Sequence, residues 1–213
     1  MLKVTNISKT FFKGTSNEKK ALNGLSLTLN DGDFCTVIGG NGAGKSTLLN
    51  AIAGAYIPDA GTIEINGTDV TRVSEYRRAK YIGRVFQDPL KGTAAGMQVE
   101  ENLLLASRRG ESRRLKWAFS AGDHEKYRDM VARLDLGLED RLGTRIGLLS
   151  GGQRQALTLL MATMKKPDIL LLDEPGIPAH LDLRVVGNGG TRFVHTLPVH
   201  KDEPAHDHRL RAL

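Results

Sequence analysis

Apolar and polar residues alternate along the first third of the chain, and the alternation predicts sheet. "LKVTNIS" (2–8), "LNGLSLTLN" (22–30) and "GTIEIN" (61–66) are short half-buried strands separated by turn residues, and "DFCTVIGG" (33–40) reads as a more buried one. From about Val99 to Lys166 the period lengthens to three or four. "VEENLLLASRR", "DHEKYRDMVARLDL" and "SGGQRQALTLLMATMKK" each place apolar residues on one helical face. A last apolar run, "DILLLD" (168–173), predicts a buried strand ending on a carboxylate. Beyond Pro175 the period is lost: Gly187, Gly189, Gly190 and Pro198 interrupt every helical window, and "TRFVHTL" (191–197) is the one strand candidate.

At 213 residues and 40% hydrophobic content the chain can build a real core as one large domain or two small ones. The single cysteine, Cys35, excludes an internal disulfide, fits a reducing compartment, and reads as a small buried side chain in its strand. No apolar run nears the ~20 residues that span a bilayer, and the first ten residues hold no signal-peptide core. A cytoplasmic protein is expected. The net charge of +6 suits an anionic surface or nucleic acid, but it is spread along the chain in no long block, so it carries little weight.

The densest chemistry is "GGNGAGKST", Gly39 to Thr47. It fits G-x-x-x-x-G-K-[ST], with a strand entering from Asp33 and a helix from Lys45 to about Ala53 that Gly54 is placed to end. Gly39, Gly40, Asn41, Gly42, Ala43 and Gly44 let backbone N–H groups curl round a β-phosphate. The helix N-terminus adds positive potential, Lys45 reaches the β- and γ-phosphates, and the Ser46 hydroxyl binds Mg²⁺. The alternative, a glycine-rich turn without chemistry, fits this context poorly. At the far end, "LLLDEP" sets Asp173 where a carboxylate can hold Mg²⁺ and Glu174 where a base can polarise water, provided the chain turns there. Without the loop upstream, "DE" would be an ordinary strand end. Between them "LSGGQ", Leu149 to Gln153, reads either as a helix N-cap or as a second phosphate contact through Ser150, Gly151, Gly152 and Gln153.

Taken in order and spacing, Gly39–Thr47, "VFQD" around Gln87, "LSGGQ" and "LLLDEP" resemble the ATP-binding-cassette ATPases over residues 1–175. The resemblance implies an α/β fold, the P-loop NTPase of cassette type, with a parallel-sheet core, an antiparallel β subdomain and a helical subdomain over about 90–165. It implies ATP and Mg²⁺ as ligands. It also implies a head-to-tail homodimer in which Ser150–Gln153 of one copy close over the γ-phosphate held by the other. Glu174, Lys45 and Gln87 would be catalytic; Ser46, Gln87 and Asp173 would hold the metal; an aromatic, Phe11 or alternatively Phe12, would stack on adenine.

The stretch from Phe86 to Ser120 resembles cassettes of bacterial importers served by a periplasmic binding protein, often ones for aromatic amino acids. Such a chain would sit on the inner face of the plasma membrane against a transmembrane permease, with no nucleic acid expected. Arg108, Arg109, Arg113, Arg114 and Lys116 would then face the permease or lipid headgroups, or form a solvated basic face. Trp117 and Phe119 read as local core. The alternatives are a soluble cassette ATPase acting on nucleic acid or ribosomes, and a non-catalytic role.

Residues 176–213 depart from the family pattern. "AHLD" (179–182) keeps a trace of the loop after the base, about two residues late. The next apolar strand, with its γ-phosphate histidine, has no match: His206 and His208 follow "HKDEPA", which cannot form a buried strand. The fold is therefore expected to be C-terminally incomplete, through a shifted reading frame or truncated gene, a divergent end, a disordered tail, or metal binding by His195, His200, His206 and His208. The place beside the phosphate-loop strand is expected to be empty, which would cost stability and leave this chain a weak ATP binder and a doubtful ATPase.

Overall fold

A computed structural model describes residues 1–111 and 122–173 and the strand Arg192–Pro198. The chain divides into two compact units, Met1–Glu75 with His180–Leu213, and Tyr76–Ala179.

The first unit holds an antiparallel sheet ordered β2-β1-β4-β5, built from β1 (Leu2–Phe11), β2 (Lys19–Leu29), β4 (Ala60–Ile65) and β5 (Thr68–Asp69). Leu2 and Val4 of β1 are buried at spacing two, but the next buried residue is Ile7. The slip occurs at Asn6, which adopts φ 49°, and the register with both neighbours shifts there. Asparagine tolerates this left-handed conformation, so one residue bulges out and the apolar face is kept. The same unit carries β3 (Asp33–Ile38) and α1 (Lys45–Ala53). Leu48, Ala51 and Ile52 make the buried face of α1, and Gly54, in left-handed conformation, closes it by donating to the Asn50 carbonyl.

Two expectations are corrected at β3. It is not a buried strand, since Phe34 and Ile38 are 46% and 51% exposed and Cys35 is only half-buried. Among the described residues its strand partner is β8 (Arg192–Pro198) alone, so side chains directed away from that seam are less covered than in a central strand. Nor is the place beside it empty. The predicted strand of the tail forms as β8 and runs parallel to β3, pairing Asp33 with Arg192 and Ile38 with Pro198.

From α2 (Glu75–Arg78) the chain enters the second unit. There β6 (Ile82–Val85) and β7 (Ile169–Leu172) pair in parallel, joined through α3 (Val99–Ser107), α4 (Asp123–Ala132) and α5 (Gly151–Thr163). The helices bury one cluster, with Val99 and Leu103 from α3, Tyr127 and Val131 from α4 and Leu157 from α5 at its centre. These are the helical-period residues, and their burial is what holds three short helices together. In β7 only Leu171 is fully buried, less than a run of four apolar residues predicts. Asn102 is buried in α3 and is fully used: its amide bonds the Ala94 N–H, the Ala94 carbonyl and the Gln98 carbonyl, pinning the chain that enters the helix. Among the described residues no helix is long and apolar enough to cross a membrane.

Candidate nucleotide-binding site

The glycine-rich loop leaves β3 and turns directly into α1. Gly44 has φ 91°, and a Cβ there would stand 2.4 Å from the Ala21 carbonyl oxygen of β2, so only glycine fits. Gly44 is also the N-cap of α1 and supplies no side chain to it. Among the described residues nothing caps the first turn, so the N–H groups of Lys45, Ser46 and Thr47 are left for an external acceptor. The Lys45 ammonium folds back on the loop, donating to the carbonyls of Gly39 at 2.6 Å and Gly40 at 2.9 Å. These contacts hold the loop open around a cationic centre that an anion can take over. Asn41 and Ser46 are exposed at its rim, and Ala43 donates to the Gly40 carbonyl within it.

Phe11 ends β1. Its ring meets Tyr56 edge to face, with centroids 5.3 Å apart. The strand end is clamped by Asp59, which accepts from the Thr10 N–H at 2.7 Å and from the Lys9 ammonium at 3.0 Å. Phe12 lies in the following turn at φ 53° and is 70% exposed. Phe11 is thus the aromatic held in place by its surroundings.

In the second unit, Ser150 caps α5. Its hydroxyl accepts from the Gln153 N–H at 3.2 Å while the Gln153 side chain accepts from the Ser150 N–H at 3.1 Å, a reciprocal capping box. Both readings of "SGGQ" are compatible here, because a hydroxyl that accepts in the cap still has its own proton to donate. A Cβ on Gly151 or Gly152 would meet nothing within 4 Å among the described residues, so their packing does not require glycine at either position. The Gln153 amide also donates to the Leu136 carbonyl, tying the cap to the turn that follows α4.

Asp173 follows β7, and its N–H donates to the Val85 carbonyl at 3.0 Å. Its carboxylate faces the Arg84 guanidinium, a neighbour the motif reading did not single out. Gln87 is exposed, two residues beyond the end of β6 at Val85. Asp88 then caps a 3-10 turn from Pro89 to Gly92. Glu174 lies outside the described residues, as do Arg113, Arg114, Lys116, Trp117, Phe119, His206 and His208.

Arg109 corrects the expectation of a basic face turned to a partner. Its guanidinium donates to the carbonyls of Ala162 and Lys165 at the end of α5, and burial lowers its pKa from the ordinary value. A cation at a helix C-terminus satisfies carbonyls the helix cannot. Periodicity could not have revealed this, because the two partners are 53 and 56 residues away.

The sequence pattern of the ABC transporter family matches residues 22–176. The chain is 39% identical over 174 residues to the tyrosine transport ATP-binding protein of Clostridioides difficile, covering 82% of this chain and 69% of that protein. It is 36% identical over 179 residues to the phosphonates import ATP-binding protein PhnC of Alcaligenes faecalis, covering 82% and 62%. Among solved structures, a dimeric post-hydrolysis state of the ATP-binding cassette MJ0796 bound to ADP and Pi superposes with a TM-score of 0.66 at 26% identity, covering 81% of this chain and 73% of that one. With the glycine-rich loop, Leu149–Gln153 and the Asp173 strand end all inside the matched span, the chain belongs to the ABC transporter family as one of its ATP-binding, ATP-hydrolysing subunits.

Proposed function

We propose that this chain is the ATPase subunit of an importer of small solutes, working as a head-to-tail homodimer beneath a transmembrane permease that a periplasmic binding protein feeds. The observation that carries the nucleotide site is the uncapped first turn of α1 behind a loop closed on Ala21, with Lys45 resting on the loop's own carbonyls. A triphosphate gives those N–H groups and that ammonium the acceptor they lack. Gly39 to Thr47 then cradle the β-phosphate, and Phe11 stacks on adenine. Residues 1–175 form the nucleotide-binding domain, with 176–213 as its atypical end.

Ser150 donates its proton to the γ-phosphate held by the other copy, and the open space at Gly151 and Gly152 admits that phosphate to the tip of α5. Glu174 polarises the attacking water, and Gln87 reports the γ-phosphate to the helical part. The donor set at Ser46, Gln87 and Asp173 is all oxygen, with a hydroxyl and a carboxylate both reachable from solvent, which suits a hard cation. These residues would hold Mg²⁺, which offsets the charge of the β- and γ-phosphates.

The import direction is supported by the likeness to the phosphonates import ATP-binding protein of Alcaligenes faecalis. The test has two parts. Purified protein should hydrolyse ATP and, with Glu174→Gln, pair in ATP, and Lys45→Ala should abolish both. Affinity capture from detergent-solubilised membranes should bring down a permease, whereas retention on nucleic acid at ~0.2 M salt would favour a soluble cassette instead.

A further inference from the structure

A second lysine stands on the phosphate loop. Lys19 opens β2 and is the cross-strand partner of Phe11 in the β1–β2 ladder. Its ammonium lies 3.3 Å from the point where a side chain on Gly42 would begin. Two residues further along β2, the Ala21 carbonyl meets Gly44. Lys19 and Ala21 therefore meet the loop at Gly42 and Gly44, strand and loop advancing together by two. The backbone of β2 is thus held against the loop at Ala21, two residues from Lys19, and the Lys19 side chain reaches Gly42 from there.

The charges nearby differ in how they are used. Lys45 is engaged by two carbonyls of the loop, and Lys9 is paired with Asp59. The Lys19 ammonium makes no ion pair or side-chain hydrogen bond among the described residues, and the side chain is exposed. A solvated cation beside a loop of backbone donors adds to the positive potential that an anion entering the loop would meet.

We propose that Lys19 is a second cation of the nucleotide site and holds the α-phosphate. The assignment rests on the reading of Gly39–Thr47 as the phosphate loop and of Phe11 as the base platform. A nucleotide with its base on Phe11 and its β- and γ-phosphates in the loop must pass its ribose and α-phosphate between the two. Lys19 is paired in register with the first and touches the second. Of the groups that pass it, the α-phosphate is the anion.

The test is a nucleotide titration of the full chain by calorimetry, with ATP and with ADP, for the parent, Lys19→Ala, Lys19→Arg and Lys45→Ala. Lys19→Ala should weaken ATP and ADP by the same factor, roughly tenfold. It should flatten the salt dependence of both affinities and leave the melting temperature unchanged. Lys19→Arg should restore most of the binding. If Lys45→Ala loses ATP while Lys19→Ala binds both nucleotides as the parent does, the Lys19 assignment is overturned and the loop reading stands. A loss with ATP but not with ADP would move the contact off the α-phosphate and overturn it too. If the parent takes up no ATP, or Lys45→Ala holds it as tightly, the loop reading fails and the assignment with it.

Discussion

The guanidinium of Arg84, on β6, lies 3.8 Å from the carboxylate of Asp173, just past the end of the parallel strand β7. It also stacks over the Phe86 ring at 4.3 Å from the centroid, which fixes its direction. The pair is partly buried, with side chains 12% and 26% exposed, so the arginine supplies charge balance to a carboxylate that a metal would otherwise face. Arg84→Gln is expected to lower the stability of the nucleotide-free protein by about 1 kcal/mol, a melting shift of about 3 °C. The deficit should shrink in saturating Mg²⁺ and ATP. An equal deficit in both conditions, read by thermal melting, would separate Asp173 from metal binding.

Gly44 admits no side chain. Alanine there faces both a left-handed backbone and a carbonyl oxygen at 2.4 Å. Gly44→Ala should cost about 2 kcal/mol from the backbone conformation alone. It should also displace the loop enough to abolish ATP binding at concentrations that saturate the parent. Denaturant unfolding and a nucleotide titration on the same preparation check the two effects separately.

Gly152 behaves in the opposite way. Since a side chain there enters open space, Gly152→Leu should change stability by no more than about 0.5 kcal/mol. Pairing of two copies in ATP, followed by light scattering on a Glu174→Gln background, should nevertheless be lost. A variant that pairs normally would remove the second copy's phosphate from the tip of α5.

Asp59 ties stability to pH. The Thr10 N–H and the Lys9 ammonium hold its carboxyl below the ordinary carboxylate value. A group depressed in the folded state contributes stability that is present above its unfolded pKa, about 3.9, and lost as pH falls through the lower folded value. The melting-temperature gap between the parent and Asp59→Ala should therefore be constant near neutrality and close below about pH 4. Because Asp59 clamps the strand end that carries Phe11, the variant should also bind ATP more weakly at neutral pH.

Much of this protein was legible in one dimension because the relevant physics is local. Gly44, Lys45 and the apolar face Leu48, Ala51, Ile52 lie within nine residues, so motif and helical period specify loop and helix together, and Gly54 stops the helix as its conformational freedom dictates. The capping box between Ser150 and Gln153 spans four residues and is equally local. What remained hidden depends on groups far apart in sequence. Tertiary packing alone brings Arg109 to the end of α5, Arg84 to Asp173 and Lys19 to Gly42, and it pairs the tail strand with Asp33–Ile38. The limited burial of that strand is of the same kind. Hydrophobic period shows which side chains can be covered, but only neighbouring strands decide which are, and for Phe34 and Ile38 that cover is partial.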